Sequence, residues 1–142
     1  MVIRFVNESD FEEILPLLQQ LWPGRTLDSE KQLISFKRTF EDSRECGICA
    51  VSDDKICGYC VVTTLNNYYH YGYSYHITIM VVDAEYRRKG IGKALIEEVK
   101  RLALMNDIKS IELDSGFHRE DAHRFYESMG FSKECIYFCM GL

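Results

Sequence analysis

The stretch Asp83-Ala84-Glu85-Tyr86-Arg87-Arg88-Lys89-Gly90-Ile91-Gly92-Lys93 decides how this chain is read. An apolar run, expected as a strand from Tyr75 to Val82, leads into it. A helix is expected after it, from Ile91 to Met105, because Ile91, Leu95, Val99 and Leu102 recur at helical spacing with Ala94 and Ala103 alongside. Glycines let a backbone approach a ligand closely, and the free amides of a helix N-terminus attract an anion. Arg87, Arg88 and Lys89 precede that N-terminus and Lys93 follows it, so a phosphate group is the natural guest. Two nucleotide loops fail on spacing. The dinucleotide fingerprint needs Gly or Ala where Leu95 stands, and it belongs near the first strand of its unit. The P-loop needs glycine in the region of Arg87 and Ser or Thr in place of Ala94.

Working outward, Val2 to Val6 reads as a strand. Asn7 caps a helix with Asp10 at the third helical position, a relative of the capping box. Phe11, Ile14, Leu15, Leu18 and Leu21 stripe that helix, Pro16 is expected to kink it, and Trp22-Pro23-Gly24 ends it. A second helix is expected from Asp28 to Asp42, with Leu33, Phe36 and Phe40 on one side. Cys46–Ser52 and Lys55–Leu65 are β-rich runs joined as a hairpin across Asp53-Asp54. Beyond the glycine loop and its helix come a strand (Lys109–Ser115), a helix (Glu120–Met129) and a last strand (Phe131–Met140). Hairpins followed by β-α-β-α-β predict an α/β (α+β) fold: a central, mostly antiparallel mixed sheet with helices on both faces. No linker or repeat divides residues 1–142, so one domain is expected.

Composition narrows the function. The chain has 142 residues, 46% hydrophobic and 27% charged, with a formal charge of -5, which excludes disordered, collagenous and coiled-coil classes. An acidic balance disfavours nucleic acid as partner, and no apolar run is long enough for a membrane span. Met1-Val2-Ile3-Arg4 lacks a signal-peptide layout, so the cysteines read as reduced thiols of a cytoplasmic protein. Cys46-x-x-Cys49 and Cys57-x-x-Cys60 evoke zinc, but only residues 50–56 separate them, against the ~15–20 of a ribbon. In regular strands, residues three apart also face opposite sides, so small buried hydrophobes and no metal are expected. Five of the nine tyrosines, Tyr68, Tyr69, Tyr71, Tyr73 and Tyr75, cluster before the loop strand.

Arg-x-x-Gly-x-Gly over Arg87–Gly92, placed after an apolar strand, resembles the pyrophosphate loop of the GNAT acetyltransferase superfamily. Ala122-His123-Arg124-Phe125-Tyr126-Glu127-Ser128-Met129-Gly130-Phe131 is similar to that superfamily's closing helix, and the element order matches along essentially the whole chain. The resemblance implies the GNAT fold and acetyl-CoA as co-substrate. Arg87, Arg88, Lys89, Gly90, Ile91, Gly92 and Lys93 correspond to the pyrophosphate loop, and the backbone of Met80, Val81 and Val82 to the pantetheine-binding strand. Arg119 falls where many relatives have an asparagine that contacts the cofactor, and Tyr126 falls at the position of the general acid.

The general base is left open by the resemblance. Many relatives carry a glutamate at the position of Thr78, which cannot act as a base but can hold a water. His76, on the same strand, and Glu112 or Asp114, on the next, are the candidates. On the acceptor side, Trp22, Tyr68, Tyr73, Tyr75 and Thr78 are the expected lining; tyrosine faces attract cations, and Glu41 and Asp42 add a negative field. Asp114-Ser115-Gly116-Phe117-His118-Arg119 resembles a subgroup that includes aminoglycoside- and aminophosphonate-type acetyltransferases. An N-acetyltransferase acting on a small amine or aminoglycoside is the first expectation. A protein or peptide N-acetyltransferase and a non-catalytic CoA sensor are the alternatives, and a homodimer is an expectation by analogy only.

Overall fold

A computed structural model describes all residues, 1–142. Its strands are β1 (Val2–Phe5), β2 (Glu45–Ser52), β3 (Lys55–Asn67), β4 (Gly72–Val82) and β5 (Ser110–Leu113). They form one sheet in the order β1-β2-β3-β4-β5, antiparallel except for the parallel β4–β5 pair. The helices are α1 (Phe11–Leu21), α2 (Ser29–Glu41), α3 (Ile91–Met105) and α4 (Glu120–Ser128), with 3-10 turns at Glu8–Asp10 and Ala84–Tyr86. The expected mixed sheet with helices on both faces is what the chain forms.

Local chemistry sets most of these elements. Asp53 and Asp54 both take positive φ, 53° and 59°, which gives the β2–β3 hairpin a two-residue turn with the strands' own twist. Asn7 and Asp10 bond reciprocally before α1, as the capping-box reading requires. α1 runs through Pro16 without a break in the helix, and the Asp28 side chain accepts the Lys31 N–H at the start of α2. β4 begins at Gly72, earlier than expected. Tyr68–Tyr71 form the turn between β3 and β4, while Tyr73 and Tyr75 lie within the strand.

The sheet divides the core in two. On one face α1 and α2 bury Ile14, Leu17 and Phe36 against Tyr59, Val61 and Val81; on the other α3 buries Leu95, Ile96 and Val99 against Cys60, Tyr75 and Ile77. Burying each such aliphatic side chain is worth about 1.5–3 kcal/mol.

Two sequence expectations need correction. Strict alternation does not hold for Cys57 and Cys60: a register shift at Ala50/Val51 puts both on the α3 face, while Cys49 lies in the α1–α2 core. Burial pushes the Cys49 thiol up to about 11 and the Cys60 thiol to about 12, and no group of three His, Cys, Asp or Glu is arranged to hold a metal. The strand expected at Phe131–Met140 is also not formed. The Phe131 N–H bonds the Tyr126 carbonyl, but no backbone–backbone hydrogen bond follows, and Ile136, Tyr137, Phe138 and Met140 stay exposed. The apolar, aromatic run Cys135–Met140 supplies strand propensity only; a strand also needs a ladder partner.

Candidate active site

The site is built where β4 and β5 part. They pair only over Ser74–Ile77 and Ser110–Leu113, so Thr78–Val82 have no partner strand on the β5 side. Val61 pairs with Ile79 and Val62 with Ile77, which leaves Thr78 as an extra residue that bends β4 at the divergence.

The basic loop follows at once. The Asp83 side chain accepts the Glu85 N–H at 3.0 Å and the Lys55 ammonium at 3.3 Å. Burial opposes ionisation of Asp83, but those bonds outweigh it and hold the carboxyl below its ordinary value. Arg87 Nε donates to the Val82 carbonyl at 3.1 Å, which folds the loop back onto the end of β4. Arg88 (φ 60°) and Gly90 (φ 81°) both adopt left-handed backbone, a conformation that gathers successive N–H groups into an anion-binding concavity. Gly90 is the N-cap of α3. The Lys89 ammonium lies 4.9 Å from the Tyr86 ring centroid, a cation–π distance, with Lys55 at 5.5 Å from the same ring. Left-handed turns, a helix N-terminus and exposed cations fit a pyrophosphate, and the unpaired stretch of β4 fits an extended, amide-bearing arm.

On α4, Phe125 packs over the first turn of α3. A Cβ on Gly92 would lie 3.2 Å from its ring, so glycine permits this approach. Next to it, Tyr126 packs edge-on against Phe131 at 5.8 Å. Burial first, and then the Cys60 thiol, push the Tyr126 hydroxyl up to about 12, while Arg119 opposes them. The hydroxyl is therefore protonated at neutral pH, and it makes no hydrogen bond within the protein. The Arg119 guanidinium donates to the Leu21 carbonyl at 2.7 Å, at the far end of α1.

His76 is opposite Glu112 in the β4–β5 register, and its ring sits between two carboxylates: Nδ1 is 3.3 Å from Glu112 and Nε2 is 2.9 Å from Asp114. Its strand neighbours Tyr75 and Ile77 point into the α3 core, so alternation puts His76 on the face that carries α1 and α2. In the same row, Thr63 pairs with both His76 and Glu45, and its hydroxyl donates to Glu45 at 2.7 Å. A polar line thus crosses four strands.

Beside this line, a cleft of about 440 Å³ lies between α1, α2 and the sheet, lined by Trp22, Phe36, Arg38, Asp42, Glu45, Tyr59 and Thr78 among others. Trp22 and Thr78 are brought together there. Asp42 is held by Arg44 at 2.8 Å, and its carboxyl falls to about 2. The tyrosines are not gathered at the cleft. Tyr75 is buried in the α3 core, Tyr73 shares that face by alternation, and Tyr68 is exposed on the β3–β4 turn. Glu45 and Arg38 were not among the sequence candidates. Their place in the cleft depends on long-range strand register and on the seating of α2, which no local spacing reports.

The model of the acetyltransferase (GNAT) family matches residues 11–131, and the chain belongs to that family. An uncharacterised N-acetyltransferase of Bacillus subtilis is 39% identical over 70 residues, 49% of this chain and 49% of that protein. The chain spans half or less of the length of the curated relatives it matches first. A Trypanosoma brucei acetyltransferase structure, 26% identical, superposes with a TM-score of 0.79 over 99% of each chain. An aminoglycoside 6'-N-acetyltransferase of Acinetobacter haemolyticus, 18% identical, shares the fold with a TM-score of 0.83 over 100% of this chain and 99% of its own.

Proposed function

We propose that this protein transfers the acetyl group of acetyl-CoA to the primary amine of a small molecule. The observation that carries the reading is the order of features along β4: a bulge at Thr78, an unpaired edge to Val82, then a left-handed basic turn on the N-terminus of α3. Acetyl-CoA supplies an acetyl thioester, activated for attack by an amine. The amides and cations of Arg87–Lys93 hold its pyrophosphate, and the free edge of Met80–Val82 orients the arm toward Thr78.

The remaining work falls to this chain's own groups. Tyr126, protonated throughout the neutral range, donates a hydrogen bond to the departing sulfur. A hydroxyl near 12 is a weaker acid than a thiol near ~8.5, so it stabilises thiolate rather than protonating it fully. An amine near ~10.4 must lose a proton before or during attack. The cluster of His76 with Glu112 at 3.3 Å and Asp114 at 2.9 Å, two residues along β4 from Thr78, takes that proton. The cleft beside Trp22 receives the acceptor, and the Glu45 carboxylate gives it a cationic preference.

The aminoglycoside acetyltransferase among the fold neighbours is consistent with a small polyamine-like acceptor, without fixing one. The test is thiol release from acetyl-CoA across a diamine, an aminoglycoside, a free amino acid and a peptide with a free N-terminus. Acceptor-dependent release with a small amine supports the reading. Release with the peptide alone makes the protein a peptide N-acetyltransferase; CoA binding without release to any amine makes it a sensor.

A further inference from the structure

Arg119 sits between the two halves of the site. Its Nη2 donates to the carbonyl of Leu21 at 2.7 Å, 98 residues earlier in the chain. Leu21 closes α1, and the last carbonyls of a helix have no partner within it, so a guanidinium there meets both an open acceptor and the negative end of the helix dipole. The next residue, Trp22, bonds back to the Leu18 carbonyl at 3.2 Å, lines the cleft and is the protein's one tryptophan. At its own end, Arg119 is the N-cap of α4. That helix presents Tyr126 and seats Phe125 on Gly92 in the first turn of α3. A continuous run of contacts therefore leads from the basic loop through Gly92, Phe125 and α4 to Leu21 and Trp22.

We propose that Arg119 is a positioning residue that ties the Trp22 wall of the acceptor cleft to the cofactor-bearing helices, so that CoA on the loop is felt at Trp22. Resemblance alone would make Arg119 a cofactor contact; the structure adds a bond from its Nη2 to a carbonyl of α1. The inference rests on the acetyl-CoA reading above.

Trp22 fluorescence tests it, with CoA as the probe and calorimetry for affinity. In the wild-type protein CoA changes the Trp22 emission. In Arg119→Gln that change is lost while CoA affinity stays within about threefold, and the Michaelis constant for the best amine of the panel rises about fivefold or more. Arg119→Lys keeps the charge and a donor and restores most of the response. A tenfold loss of CoA affinity in Arg119→Gln would overturn the proposal by making Arg119 a cofactor ligand, and so would an emission change that survives the substitution. If the wild-type protein binds no CoA, the acetyl-CoA reading fails on its own. The tie itself is then judged by ligand-free emission, where an Arg119→Gln spectrum identical to wild type refutes it. Circular dichroism of both variants establishes that they are folded.

Discussion

Tyr126 is held by packing and left free at its tip, with Phe125 and Phe131 fixing the ring while the hydroxyl makes no hydrogen bond within the protein. Tyr126→Phe keeps the packing and removes the donor, so turnover should fall about 10²-fold while CoA affinity is unchanged, as read by thiol release and calorimetry. Asp10 offers a residue-scale test of stability. The Arg4 guanidinium at 2.7 Å lowers its carboxyl below the ordinary value, burial opposes this, and the Asn7 N–H adds to it. A depressed folded-state value means the stabilisation is present above the unfolded value of ~3.9 and is lost as pH falls through the folded one. Asp10→Asn should therefore cost about 1–3 kcal/mol at pH 7 and less at pH 3, measured by denaturant melts at both. Arg4 is partly exposed, which keeps the figure toward the lower end.

At the level of elements, the approach of α4 to α3 depends on a missing side chain. Gly92→Val puts two methyl groups where Phe125 already lies, so α4 must shift. The expected outcome is a loss of about 1–3 kcal/mol in stability together with weaker CoA binding, checked by thermal melts with and without CoA. The elements that local pattern encodes were legible: the stripe of α3, the capping of α1, the Asp53-Asp54 turn and the loop motif all follow from spacing within a dozen residues. What stayed hidden was set between elements. The bulge at Thr78 exists only in the register of β3 against β4, and the one near Cys57 turns a face that alternation had assigned otherwise. The Arg119 contact spans most of the chain. Tyr75 carried a surface-like signal, yet Ile77 and Leu102 share the core it enters. The Phe131–Met140 run shows the opposite case, a correct local propensity without a partner to realise it.

The whole molecule separates charge as well as hydrophobicity. An acidic chain of formal charge -5 keeps Arg87, Arg88, Lys89 and Lys93 in one turn, so the field that receives an anion is local and opposed by the rest of the surface. CoA affinity should accordingly fall with ionic strength, by about tenfold between 0.05 M and 0.5 M salt, because exposed charges are screened beyond a Debye length. Calorimetry at two salt concentrations checks this, and a flat response would mean that the loop amides, not the side-chain charges, hold the phosphate. The divergence of β4 from β5 has a further consequence. A strand edge left unpaired is a template that any extended chain can complete, and proteins ordinarily blunt such edges because they seed aggregation. Thr78–Val82 of β4 keep such an edge open on the side away from β3. The same backbone that suits an amide-bearing arm is, in the ligand-free protein, an edge that a second extended chain could meet as well.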